Sequence, residues 1–209
     1  MVLQTMIDHF GVAVASISGV LAARGRRIDL FGVVVLALVT AFGGGTIRDV
    51  TLGDVPVFWV RDFGFLVNAA AIAVATFFVA RRFDFRLGAL MVADALVLAF
   101  FTMAGAQKAM AFHTTPAAVV FLGVTTGVAG GMIRDLLTGQ IPLVFRQEIY
   151  LYATASFLGA LSFLLLAATG APAHLSVLAG LVVTFAVRLA GIRRRIALPL
   201  FETRGDRGA

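Results

Sequence analysis

Phe42–Asp49 reads FGGGTIRD, and Gly127–Asp135 reads GVAGGMIRD. Each stretch sets a glycine run, an isoleucine and an arginine–aspartate pair inside an otherwise apolar segment. Arg48 corresponds to Arg134 and Asp49 to Asp135, an offset of 86 residues. The correspondence extends outward without a gap. Asp8 meets Asp94, Gly19 meets Gly105, Leu36 meets Leu122, Thr40 meets Thr126, Gly53 meets Gly139 and Pro56 meets Pro142. The chain therefore reads as two units, 1–86 and 87–172, with 173–209 left over.

Composition says what the units are. The 209 residues are 60% hydrophobic and only 13% charged, with a mean hydropathy of +1.00. A soluble domain carries about 25% charged residues, so this chain lacks the polar surface to cover itself in water. Seven apolar segments lie at about 4–23, 30–52, 63–80, 87–107, 116–138, 149–169 and 173–191. Each is of helical spanning length, and all are far too long for barrel strands of about 10 residues. The expected fold is an all-α integral membrane protein with seven transmembrane helices and no extramembrane domain. Three spans per unit is an odd number, so the second unit enters the bilayer from the opposite side. That makes an inverted repeat plus a seventh helix. The start, MVLQTMIDHF, carries Asp8 in place of a basic region and does not read as a cleaved signal. The chain has no cysteine, which excludes thiolate chemistry.

Basic residues set the expected orientation. One side holds Arg24, Arg26, Arg27, Arg81, Arg82, Arg86, Arg146, Arg188, Arg193, Arg194, Arg195, Arg204 and Arg207; the other holds Arg61 and Lys108. The positive-inside rule puts the N-terminus outside and the C-terminus, a basic tail, in the cytoplasm of a bacterial-type inner membrane. The net charge of +6 is mostly this topological signal, and nothing in it points to nucleic acid. IRRRI at 192–196 reads as an orientation anchor, and Lys108 as a solvated loop lysine.

Glycine inside a helix costs roughly 1 kcal/mol relative to alanine. Gly19, Gly105 and Gly159 read as close-packing positions. Gly43, Gly44 and Gly45, and Gly130 and Gly131, read as breaks or kinks in the second and fifth spans, because ionisable groups follow at once. Pro56 and Pro142 are expected to end the second half-helices. Each charge at the centre of a span costs about 2.5–3.5 kcal/mol. Asp8, Arg48, Asp49, Asp94, Arg134 and Asp135 would together cost ~15 kcal/mol or more if none found a partner or water. Neighbours on a helix point about 100° apart, so Arg48 and Asp49 are not expected to satisfy each other. Each arginine is expected to pair with an acid on another helix, Asp8 or Asp94. Four acids against two arginines leave a formal −2 within the spans, which favours a cation on any path they line. Thr46, Thr40, Thr126, Ser16, Ser18 and Thr102 can add oxygens, although hydroxyls commonly bond back to their own helix. His9, His113 and His174 are unclustered, and no metal-ligand spacing, catalytic motif or cofactor motif appears. Trp59 and Phe58 fit an interfacial belt.

The doubled motif, in two three-helix units with a seventh helix, resembles the bacterial branch of the trimeric intracellular cation (TRIC) channels. Bacterial relatives of this kind also carry the description of putative glycine transporters. The resemblance covers residues 1–195. It implies a homotrimer in which each subunit has its own pore through the kinked second and fifth spans, passing monovalent cations, chiefly K⁺. Carried over by motif, Gly43–Gly45 with Arg48 and Asp49, and Gly130–Gly131 with Arg134 and Asp135, form the kinks and the pore lining. In the animal channels, basic residues near the second motif are associated with a phosphoinositide lipid. Here Thr125 and Thr126 precede Gly127 and the stretch has no lysine, so that dependence is not expected to carry over. A secondary transporter of glycine or another small zwitterion is the competing reading. A purely structural membrane protein ranks last, since six intramembrane charges are a costly way to build one.

Overall fold

In the computed structural model, the described residues are 2–83, 87–145, 151–194 and 196. Arg86, Arg146, Arg195, Arg204 and Arg207 lie outside them, as does most of the tail. The helices are α1 (Val2–Ala22), α2 (Leu30–Thr51), α3 (Phe58–Arg61), α4 (Phe63–Arg82), α5 (Leu87–Ala111), α6 (Pro116–Leu137), α7 (Tyr152–Ala168) and α8 (Ala173–Arg194). A 3₁₀ turn covers Leu143–Phe145. Five helices are long and apolar enough to cross a membrane, and α7 and the described part of α1 are shorter apolar helices.

The starts and stops have local causes. Asp29 caps α2 by accepting from Gly32 N at 2.8 Å, and Asp62 caps α4 in the same way from Gly64 N. Thr115 accepts from Ala118 N at 3.3 Å, with Pro116 at the first helical position of α6. The motif helices do not end at their prolines. They end on Gly53 and Gly139, at φ +69° and +65°. There Asp54 N bonds back to Asp49 O and Gln140 N to Asp135 O, both at 2.8 Å. These are six-to-one closures around a left-handed glycine. Pro56 and Pro142 instead precede the two short elements, α3 and the 3₁₀ turn, neither of which the hydropathy pattern had indicated.

A second departure concerns the glycines. Both α2 and α6 run through them without interruption; no break is present. What the glycines do is let the two helices touch. A β-carbon on Gly44 would lie 2.1 Å from Thr126 O, and one on Gly130 would lie 2.3 Å from Thr40 O. These are one contact written twice with the two units exchanged. Because residues 40 to 44 run against 130 to 126, α2 and α6 cross antiparallel. Gly19 against Ala37, Gly105 against Leu122 and Thr126, and Gly159 against Gly180 and Thr184 are close-packing glycines too.

The remaining packing repeats this exchange. α1 packs on α2 and α4 as α5 packs on α6 and α7. Expected as a left-over, α8 lies against α7 and α5. The exposure pattern is that of a membrane protein. Arg134, Arg188, Asp49 and Asp94 are fully buried, while Phe31, Phe121, Leu165 and Leu178 face outward. Charge sits inside and hydrocarbon outside, the reverse of a water-soluble core.

Candidate functional site

On either side of the α2–α6 crossing the Arg-Asp pair forms the same small device. Arg48 Nε donates to Asp49 Oδ1 at 2.8 Å, and Arg134 Nε to Asp135 Oδ1 at 2.9 Å. Adjacent residues thus do satisfy each other, contrary to the expectation from helical geometry. The arginine side chain is long enough to fold back across the 100° between them. The second carboxylate oxygen looks outward. Asp49 Oδ2 accepts from Phe58 N at 2.9 Å and Asp135 Oδ2 from Leu143 N at 2.8 Å. Each aspartate therefore ties its arginine to the start of the short element that follows its helix.

Beyond this shared core the halves differ. Around α6, Arg134 reaches Asp94 Oδ1 at 3.0 Å and Ser18 Oγ at 2.7 Å, so the inter-helix pair expected for Asp94 is present. Arg134, Asp94 and Asp135 are all buried. Tyr152 also closes on this group. A β-carbon on Gly131 would sit 3.1 Å from the Tyr152 hydroxyl and 3.6 Å from Arg134 Nη2. The guanidinium of Arg188 lies 4.8 Å over the Tyr152 ring. Counted by sequence among the cytoplasmic arginines, Arg188 is fully buried within α8. A one-dimensional count assigns charge near a span end to the water side; only the fold shows the residue turned inward.

Around α2 the analogous pairing of Arg48 with Asp8 is not made among the described contacts. Asp8 is only partly buried, with Arg48, His9 and Lys108 as its charged neighbours. The cation that meets Asp49 from another helix is Lys108, at 2.6 Å. Lys108 also reaches Asp54 Oδ2 at 2.5 Å, and Asp54 pairs with Arg61. Lys108 is thus the centre of a clasp at the end of α5 and not a solvated loop residue. Its partners lie far off in sequence, so nothing local marks them. The hydrogen bonds from Arg61 and Lys108 hold the Asp54 carboxyl at about 2, below its ordinary 3.8. On the opposite face Arg26 donates to Thr138 O. A basic residue near the end of each unit's first helix thus visits the end of the other unit's motif helix.

These placements revise the charge count. Among the described residues, Asp8, Asp49, Asp94 and Asp135 are equalled in number by the buried or part-buried cations Arg48, Lys108, Arg134 and Arg188, so their formal balance is zero and not −2. Net charge alone therefore gives no preference for a cation. Among the oxygen candidates, Thr40, Thr126 and Ser16 bond back to Leu36 O, Leu122 O and Val12 O. Thr102 and Ser156 hydroxyls lie 2.6 Å apart. Thr46 Oγ1 accepts from Trp59 Nε1 at 3.0 Å, Trp59 stacks on Phe42, and the Phe58 ring fills the space at Gly45. α3 is therefore a strap over the α2 motif as well as an aromatic edge. His9 stacks on Phe65 at 4.1 Å and meets Asn68, and His113 and His174 are exposed.

The family model described as Glycine transporter matches residues 5–81 and again 91–168. The UPF0126 inner membrane protein YadS of Escherichia coli K12 is 44% identical over 198 residues, 93% of this chain and 94% of that protein. A UPF0126 membrane protein of Vibrio cholerae is 42% identical over 198 residues, 94% of this chain and 82% of its own length. Among solved structures, the TRIC trimeric intracellular cation channel orthologue from Rhodobacter sphaeroides is 38% identical, with a TM-score of 0.88. The match covers 94% of this chain and 100% of that one. The chain belongs to this family, the bacterial TRIC-like membrane proteins.

Proposed function

We propose, with membership of that family as the premise, that the chain is a cation channel of the bacterial inner membrane, passing monovalent cations such as K⁺. Seven helices span the bilayer, the N-terminus outside and the C-terminus in the cytoplasm, in an inverted repeat. Each subunit of a homotrimer carries its own route, along the α2–α6 crossing between the Arg48–Asp49 and Arg134–Asp135 groups. The observation that carries this reading is the doubled crossing itself: two polar devices, one on each side of a glycine contact, inside an apolar shell. Polar backbone and charge at membrane depth are tolerated where they line a path or are buried in protein. With Gly44 and Gly130 against the opposing threonine carbonyls, the arrangement is closed at that level. Opening requires α2 and α6 to part, and the glycine runs are where they can bend. The Rhodobacter sphaeroides relative is described as a trimeric cation channel, which supports both the activity and the assembly.

The family model's description favours a second reading, a transporter of glycine. An arginine and an aspartate can hold a carboxylate and an ammonium, although here each pair is occupied with itself. Purified protein in planar bilayers should give discrete unitary currents reversing at the K⁺ potential. Silence there, together with saturable glycine uptake into proteoliposomes, would select the transporter.

A further inference from the structure

Asp94 and Asp8 hold matching positions in the repeat, yet the cations near them that lie outside the motif come from different places. Asp94 is 1% exposed. Its Oδ1 is taken by Arg134, and its Oδ2 has no hydrogen-bond partner among the described residues. A buried carboxylate oxygen without a donor is costly unless opposite charge lies nearby. Among the described residues, a nearby cation that does not come from the motif is Arg188. Its guanidinium is stacked on the ring of Tyr152, whose hydroxyl stands at Gly131 within the Arg134–Asp94 group. Asp94 Oδ1 stands at the same Gly131 position, 3.9 Å from where its β-carbon would be, so Asp94, Tyr152 and Arg188 belong to one cluster. α8 belongs to neither repeat unit, whereas the non-motif cation near Asp8 is Lys108, from α5.

We propose that Arg188 is a specificity-determining positioning residue: from outside the repeat it neutralises Asp94 and sets the charge that a permeating cation meets in the α6 half of the route. Among the described residues, Arg134 and Arg188 balance Asp94 and Asp135 in that half. Taking Arg188 away leaves it at −1, and taking the Asp94 charge away with Arg188 in place leaves it at +1. In a low-dielectric surrounding, one uncompensated charge is enough to change the ion population of a narrow path. The charge acts through its field and does not require Arg188 to touch the ion.

This inference rests on the channel reading, and the test separates the two. Single-channel currents are recorded in planar bilayers under a tenfold KCl gradient for wild type, Arg188→Met, Arg188→Lys, Asp94→Asn and the double variant Arg188→Met/Asp94→Asn. The reversal potential gives the cation-to-anion permeability ratio. The expected result is a severalfold rise in that ratio for Arg188→Met, a severalfold fall for Asp94→Asn, and values near wild type for Arg188→Lys and for the double variant. A merely structural arginine would not give opposite signs in the two single variants, nor recovery in the double. If Arg188→Met fails to fold, the comparison of Asp94→Asn with the double variant decides, because only the double removes the excess positive charge. An unchanged ratio in Arg188→Met, or a double variant no closer to wild type than Asp94→Asn, overturns the inference while leaving the channel intact. Absence of wild-type current removes the channel reading and the inference with it.

Discussion

At the scale of single residues, the account turns on buried charge that is matched one for one. Arg134 holds Asp94 and Asp135 at once, with Ser18 as a third partner. Arg134→Gln leaves two buried carboxylates without their guanidinium and should cost about 3–5 kcal/mol, the usual loss on breaking a buried pair. Thermal unfolding in detergent measures it, and adding Asp94→Asn should recover part of the loss, since the two sites share one interaction. The clasp around Lys108 makes a pH prediction. The Asp54 carboxyl titrates lower in the folded protein, at about 2, than its ordinary 3.8. Its contribution to stability is therefore complete above about pH 4 and is lost as pH falls through 2. Asp54→Asn should flatten that part of the stability profile and leave neutral pH less stable. Much of this was legible in the sequence: the paired motif, the acids at matching repeat positions and the pairing of an arginine with an acid on another helix, for which Asp8 and Asp94 were the candidates and Asp94 is the one that meets Arg134. Arg188 and Lys108 were not. Hydropathy places a residue along the membrane normal but says nothing of which way it faces, and their partners lie on other helices.

At the scale of elements, glycine spacing shows where α2 and α6 meet, but not how. From one segment, a glycine run followed by charge reads as a break. The carbonyls of Thr126 and Thr40, which give the run its purpose, belong to the opposite unit. The prediction is graded by what each β-carbon meets. Gly44→Ala and Gly130→Ala press on backbone oxygens that cannot rotate away, and should destabilise the closed crossing by about 1–3 kcal/mol. Gly43→Ala presses on the movable tip of the Ile133 side chain, at 2.9 Å, and meets Gly130 Cα only at an ordinary 3.6 Å, so it should cost less. Because the strain falls on the closed contact, Gly44→Ala and Gly130→Ala should also raise open probability, read from single-channel records. Equal behaviour of all three variants would argue that the crossing is not the closed gate. The short elements escaped the sequence because four and three residues carry no periodicity. Their anchor is a carboxylate oxygen eight or nine residues upstream.

At the scale of the whole molecule, the helical class and the apolar shell were readable from composition and periodicity. With Arg188 taken out of the cytoplasmic set, the remaining arginines still predict the N-terminus outside. The chain has no native cysteine, so single introduced thiols report without background. A thiol at Arg61 or Lys108 should react with an impermeant reagent added outside, and one at Arg26 or Arg81 only after the inner face is opened. The central claim is that ions pass along the α2–α6 crossing. Thr40→Cys and Thr126→Cys place near-isosteric thiols on its two sides, and Thr184→Cys places a control on α8. During bilayer recording, a small cationic thiol reagent should modify the first two, faster when the channel is open, and cut the unitary current while sparing the control. Steady current with neither crossing thiol modified would mean that the ions travel elsewhere.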